Sequence, residues 1–285
     1  MQGKIVFITG ATNGIGRVAA LELARMGAEV VVHGRSRERV DSVVGEIAAA
    51  GGTAHGLLAD LSRQDEVRAL AADFRRRFNR LDVLINNAGA VFTERQLSAD
   101  GFEMTFALNH LSSFLLTHLL LDVIIASAPA RIINVSSDAH KAVRSIDFDT
   151  LGVGKAGFGA YAQSKMMNLL FTFELARRLE GTGVTVNALH PGFVATGFGK
   201  NNDGAAGSIL RAVIGLMRPM ARTPEQGAQT TIYLASSPDV EGVTGQYFVD
   251  CKPVPPHPYA HNREAQRRLW ERSEAMTGIP QPAGA

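Results

Sequence analysis

The strongest constraint on the fold lies in the first sixteen residues. Lys4 to Thr9 (KIVFIT) is a short apolar run, the pattern of a strand covered on both faces. It leads into Thr9-Gly10-Ala11-Thr12-Asn13-Gly14-Ile15-Gly16, and a helical pattern follows from Ile15 to Met26. Glycines there permit a tight turn and a close approach of the backbone to a bound group. The helix N-terminus adds free N–H groups and the positive end of a dipole. A strand, a glycine-rich turn and a helix in that order favour nucleotide binding over a bare turn. The spacing is G-x-x-x-G-x-G rather than the common G-x-G-x-x-G.

The same alternation continues. Ala28 to His33 reads as a second strand, and Ser36 can cap a helix running to about Ala50. Thr53 to Leu58 is a weaker third strand, Ser62 can cap a helix to about Asn79, and Asp82 to Asn86 is the fourth strand. Helical pattern spans Ala99 to Ala126 and ends before Pro129, and Arg131 to Val135 is the fifth strand. Asp138 to Gly159 shows no clear period, and a helix then carries Tyr161 to about Glu180. Val184 to Leu189 and Gln246 to Val249 are the sixth and seventh strands, with a helix from Pro224 to Ala235 between them. A Pro-rich tail, 252–258, precedes an amphipathic helix from Arg263 to Met276, where Leu269 and Trp270 read as packing anchors. Strands alternating with helices of crossover length predict an α/β domain over 1–285, its seven-stranded, mostly parallel sheet covered on both faces.

Composition excludes several classes. A net charge of +2 gives no electrostatic case for nucleic acid, and Arg75-Arg76-Arg77 reads as a solvated helix face. Cys251 is the single cysteine, so no intrachain disulfide forms, which fits a reducing, cytoplasmic setting. His257, His261 and Cys251 lack metal-ligand spacing, so no metal is expected. The strand-like run at Lys4 leaves no room for a signal peptide. The most apolar segment, Phe114 to Ala126, is interrupted by His118 and Asp122 and reads as a buried core helix, without a membrane anchor.

Two further stretches carry chemistry. After the second strand comes His33-Gly34-Arg35-Ser36-Arg37, with an arginine and no acid at the turn, which favours a ribose 2′-phosphate and hence NADP(H) over NAD(H). In Tyr161-Ala162-Gln163-Ser164-Lys165 the first and last residues share one helical face. A phenol titrates near 10, too high for ready acid-base work, and an ammonium beside it favours the phenolate. Such a pair can exchange a proton with an oxygen whose carbon exchanges hydride.

TGATNGIG (9–16), NNAG (86–89), Asn109, the Ser136-Ser137 pair, YAQSK (161–165) and PGFVAT (191–196) together resemble the short-chain dehydrogenase/reductase family over essentially the whole chain. NHLSSFLLTHLL (109–120), SAPARIINVSS (127–137) and the tail from Tyr247 to Gly278 look like the retinol dehydrogenase branch and its bacterial relatives. The resemblance implies a Rossmann-type doubly wound fold. It also implies roles: Tyr161 as general acid/base, Lys165 lowering its pKa, Ser137 polarising the substrate oxygen, and Asn109 holding a proton-relay water. Ser136 is the rival serine, but the family uses the last residue of this strand-end motif. Gly10, Thr12, Asn13, Gly14, Ile15, Gly16, Arg35, Asp60, Leu61, Asn87, Ala88, Gly89, Tyr161, Lys165, Pro191, Gly192, Val194 and Thr196 would contact NADP(H).

The resemblance also implies a homodimer or homotetramer and a substrate lid over 193–222. That stretch is apolar through residues such as Phe198, Met217 and Met220, which points to a lipophilic aldehyde, ketone or alcohol. The spacing from Ser137 to Tyr161 is longer than the family's usual one, and 138–159 is read as an inserted loop. The apolar N-terminal anchor of membrane-bound retinol dehydrogenases is absent, so a soluble enzyme is expected. Two competing readings are a catalytically silent NADP(H) sensor and a sugar-nucleotide epimerase. The full set of Asn109, Ser137, Tyr161 and Lys165 argues against the first. The glycine spacing and the small C-terminal region argue against the second.

Overall fold

The computed structural model describes residues 1–154, 156–194, 207–208, 215 and 221–279. Among the described residues, eight strands form one sheet in the order β3-β2-β1-β4-β5-β6-β7-β8. They are β1 (Ile5–Ile8), β2 (Glu29–Gly34), β3 (Thr53–Leu58), β4 (Val83–Asn86), β5 (Ala130–Val135), β6 (Val184–His190), β7 (Tyr247–Val249) and β8 (Lys252–Pro253). The first seven run parallel, and β8 returns antiparallel to β7. This eighth strand corrects the expected seven. It has two residues, one of them a proline, and shows no periodicity in the sequence. The turn into it forces Asp250 and Cys251 to positive φ of 52° and 59°, and Pro253 is tolerated because this is the sheet edge.

Among the described residues the main helices are α1 (Gly14–Arg25), α2 (Arg37–Ala49), α3 (Gln64–Arg77), α4 (Met104–Ala126), α5 (Phe158–Arg178), α6 (Pro224–Ser236) and α7 (Arg263–Thr277). Each buried strand feeds two cores. Phe7, Val31, Leu84 and Ile132 point to the face covered by α3, α4 and α5, while Val6, Ile8, Val30, Val32, Ile85 and Ile133 point to the face covered by α1, α2 and α6. That alternation is the period-two geometry of a strand. Helix α4 is long and apolar enough to cross a membrane, but Phe114, Leu115, Leu116, Leu120 and Ile124 are fully buried against the sheet. Trp270 of α7 packs into the same core, edge-on to Phe114 with ring centroids 5.2 Å apart.

A third core lies beside β6 and β7. It brings Val143, Ile146, Phe148 and Leu151 of the inserted segment against Met166, Leu169, Leu170 and Phe173 of α5 and Leu269 of α7. The expected loop is therefore an irregular but anchored segment. The tail holds it by long-range bonds: Ile146 N donates to Tyr259 Oη at 3.0 Å, and Arg272 donates to the Phe148 carbonyl at 3.2 Å.

The strand order reverses between β1 and β4. In such sheets ligands bind outside the carboxyl ends of the strands at that reversal. The glycine-rich turn after β1 and Asn86-Asn87-Ala88-Gly89 after β4 both sit there.

Candidate active site

The glycine turn is held from three sides. Thr9 Oγ1 accepts from the backbone N–H groups of Asn87 and Ala88, each at 3.0 Å, and the Asn87 side chain donates to the Thr9 and Gly10 carbonyls at 2.8 and 3.1 Å. Gly10 N donates to His33 Nδ1 at 3.2 Å, while His33 Nε2 faces the Ala59 carbonyl at 3.1 Å. A carbonyl only accepts, so the proton sits on Nε2 and the ring is neutral. Burial holds its pKa down at about 4. This histidine binds the ends of β1, β2 and β3 together.

Nothing but glycine fits at two points of this turn. Gly10 has φ +64°, and a Cβ on Gly16 would lie 2.4 Å from the Gly10 carbonyl oxygen and 2.5 Å from the Asn87 amide nitrogen. Asn13 caps α1 by accepting from Gly14 N at 2.8 Å, and the first turn of α1 carries no acidic residue. The remaining first-turn N–H groups lack intrahelical partners, as at any helix start. This bare, positively poled end fits a dinucleotide pyrophosphate. Ile15 and Val194 both pack against Gly227 of α6, which brings the 191–194 strand-end segment to the start of α1. Arg35 stands exposed just beyond β2, and no ion pair engages it, Arg37 or Arg39 among the described residues. Asp60 is turned toward Ser62, accepting from its N–H and hydroxyl at 3.0 and 2.8 Å. Leu61 is buried beside it. Thr196 lies outside the described residues, as does most of the expected lid.

Helix α5 delivers the reactive pair. Lys165 is 4% exposed, and its Nζ donates to the Val135 carbonyl at 3.0 Å, 5.6 Å from the Tyr161 ring centroid. The two serines after β5 separate by face. Ser136 is buried, and its hydroxyl donates to the Lys165 carbonyl at 2.8 Å, pinning α5 to the strand end. The Ser137 side chain instead hydrogen-bonds Tyr161. Ser137 Oγ also accepts from Ala139 N at 3.2 Å.

Asn109 lies in a π turn, Ala107–Leu111, within α4 and is fully buried. It exchanges two hydrogen bonds with the backbone of Ala90, both 2.9 Å, and donates to Ser164 Oγ at 3.0 Å. Ser164 in turn donates to the Tyr161 carbonyl at 2.7 Å. A Cβ on Gly89 would stand 3.2 Å from Asn109 Oδ1 and 3.3 Å from Lys165 Nζ, so both polar groups converge on one glycine.

Burial dominates the electrostatics of the pair. Burial pushes the Tyr161 phenol up to about 12, opposed only by the Ser137 bond, and pushes Lys165 down to about 8. The Lys165 ammonium is directed to the Val135 carbonyl at 3.0 Å.

A match to the short chain dehydrogenase family spans residues 4–206. The chain belongs to the short-chain dehydrogenase family. It is 45% identical to retinol dehydrogenase 14 of Mus musculus over 294 residues, covering 98% of this chain and 87% of that protein. It is 41% identical to retinol dehydrogenase 13 of Homo sapiens over 289 residues, covering 99% and 87%. Among solved structures, an uncharacterized protein from Mycobacterium paratuberculosis aligns with a TM-score of 0.78 at 30% identity, covering 99% of this chain and 96% of that one. A short chain dehydrogenase from Burkholderia cenocepacia in complex with NADP aligns with a TM-score of 0.68 at 28% identity, covering 87% and 96%.

For a short-chain dehydrogenase, the sequence misses the scaffold beneath the site. Asn86 donates to Thr117 Oγ1 at 3.0 Å and to Asn134 Oδ1 at 2.8 Å, and Asn134 donates to Thr172 Oγ1 at 2.9 Å. These buried amides tie β4 and β5 to α4 and α5. Their only signal is a polar residue inside an otherwise apolar strand.

Proposed function

We propose that the chain transfers hydride between NADP(H) and a lipophilic aldehyde, ketone or alcohol, with Tyr161 as general acid and base. The observation that carries this reading is the convergence of Ser137, Tyr161, Lys165 and Asn109 at the carboxyl ends of β4 and β5. When bound, the nicotinamide supplies or accepts the hydride. Tyr161 gives its proton to the substrate oxygen in reduction and takes it back in oxidation. The Ser137 hydroxyl donates to the same oxygen as charge develops there. Lys165 supplies the nearby positive charge, and the Asn109–Ser164 link fixes the turn of α5 that carries Tyr161.

NADP(H) is favoured by Arg35, which is exposed and free of carboxylates at the point where a 2′-phosphate would lie. A lipophilic substrate is favoured by Phe158, 65% exposed and 6.3 Å from the Tyr161 ring, and by exposed Val153 and Phe193. We place the enzyme in the cytoplasm on its single cysteine. The test follows NADPH oxidation against a long-chain aldehyde, retinal, a steroid ketone and an aromatic aldehyde, with NADH in parallel. Turnover that prefers NADPH and rises with lipophilicity supports the reading. Nucleotide binding without turnover on any carbonyl contradicts it.

A further inference from the structure

Behind Ser137 stands a histidine that the proposed chemistry does not use. His140 lies three residues on, in the 3-10 turn Asp138–Ala142, and is fully buried. The Ser137 carbonyl accepts from residue 140 twice, from its backbone N–H at 3.1 Å and from ring Nδ1 at 2.7 Å. The opposite ring nitrogen, Nε2, accepts from the backbone N–H of His257 at 3.1 Å. A carbonyl can only accept and an N–H can only donate, so the two partners fix one neutral tautomer with its proton on Nδ1. The Tyr247 ring packs edge-on against the imidazole at 5.1 Å and closes its remaining freedom. Burial holds the ring below its ordinary pKa, in keeping with that neutral form.

His257 belongs to the Pro-rich tail, some 120 residues along the chain from Ser137. The tail is anchored separately, by Tyr259 on the inserted segment and by α7 in the third core. One imidazole thus bridges the tail and the backbone of the serine. We propose that His140 is a positioning residue that transmits the place of the C-terminal tail to Ser137, setting the reach of the serine hydroxyl toward the substrate oxygen. This rests on the reading of Ser137 as the residue that binds that oxygen.

The two arms of the ring can be cut separately. In His140→Asn the side-chain amide N–H replaces Nδ1–H and keeps the bond to the Ser137 carbonyl. In His140→Gln the amide oxygen replaces Nε2 and keeps the tail bond while the serine bond is lost. His257 has φ −56°, within proline's range, so His257→Pro deletes only the donor N–H together with the side chain, and His257→Ala deletes the side chain alone. Turnover is counted per nucleotide-binding site, so misfolded molecules do not enter it.

His140→Asn, His140→Gln and His257→Pro each break one arm of the link and should each lower kcat about tenfold or more, the scale of a small misplacement of a catalytic group, with nucleotide Kd unchanged. His257→Ala should stay within about threefold of the parent, since it keeps the backbone N–H that the ring accepts from. Ser137→Ala is run beside them. If it is crippled while His140→Gln and His257→Pro turn over at the parental rate per site, the tail link is refuted and Ser137 keeps its role. If Ser137→Ala turns over normally, the reading of Ser137 fails and the proposal falls with it.

Discussion

Ser136 and Ser137 are adjacent in sequence but serve opposite sides of one helix junction: the first donates to the Lys165 carbonyl at 2.8 Å, the second bonds the Tyr161 side chain. The pair therefore predicts two unlike phenotypes. Ser137→Ala should lower kcat by about 10²–10³, as loss of one oxyanion donor does. Ser136→Ala should keep turnover per site and lose about 1 kcal/mol of stability, the usual value of one intramolecular hydrogen bond. Steady-state kinetics and urea unfolding distinguish them.

Gly16→Ala tests the nucleotide turn. The added methyl would press on the Gly10 carbonyl at 2.4 Å, and backbone cannot swing aside as a side chain can. NADPH binding, followed by fluorescence titration, should weaken at least tenfold while the far-ultraviolet spectrum of the fold persists.

Arg35→Ala should weaken NADPH binding by about tenfold, the scale of one charge-assisted phosphate contact, and leave NADH unchanged. Equal loss for both nucleotides would mean that Arg35 shapes the turn rather than reading the 2′-phosphate.

The pH profile should differ by direction. Tyr161, pushed up to about 12, stays a proton donor throughout neutrality, so reduction should be flat there and decline above about pH 8 as Lys165 loses its charge. Oxidation needs the phenolate and should climb steadily with pH through the same range. Initial rates in both directions across pH would show a common optimum if this assignment is wrong.

Acid should weaken the fold through its buried histidines. His33 and His118 are held down at about 4 and His110 at about 3, against 6.5 in the unfolded chain. The unfolded state therefore binds more protons between those values, so stability is full above 6.5 and is lost as pH falls toward 4 and then 3. His110→Phe, in a pocket already lined by Phe106, Phe114 and Phe171, should shrink the loss between pH 7 and 5 measured by urea midpoints.

The strands were legible because a parallel sheet writes them as short apolar runs, and even the weak Thr53–Leu58 pairs fully with β2. The candidate site was legible as a grouping because its residues sit at strand ends and on one helical face. What was hidden depends on long-range contact. The π turn at Ala107–Leu111 leaves no mark in an unbroken helical pattern, yet it is where Asn109 sits. The segment 138–159 shows no period because the tail, not its own repeat, buries Val143, Ile146 and Phe148. For the same reason His140 reads as a loop histidine and is fully buried. Spacing shows the lysine beside Tyr161 but not the desolvation that the two groups share.

The measurement closest to the central claim compares the parent chain with Tyr161→Phe, recording NADPH binding and NADPH-linked carbonyl reduction on the same preparations. Removing the proton donor should leave binding intact and lower turnover by about 10²–10⁴, the range of general acid catalysis. Parental turnover in Tyr161→Phe, with NADPH still bound, would contradict the account.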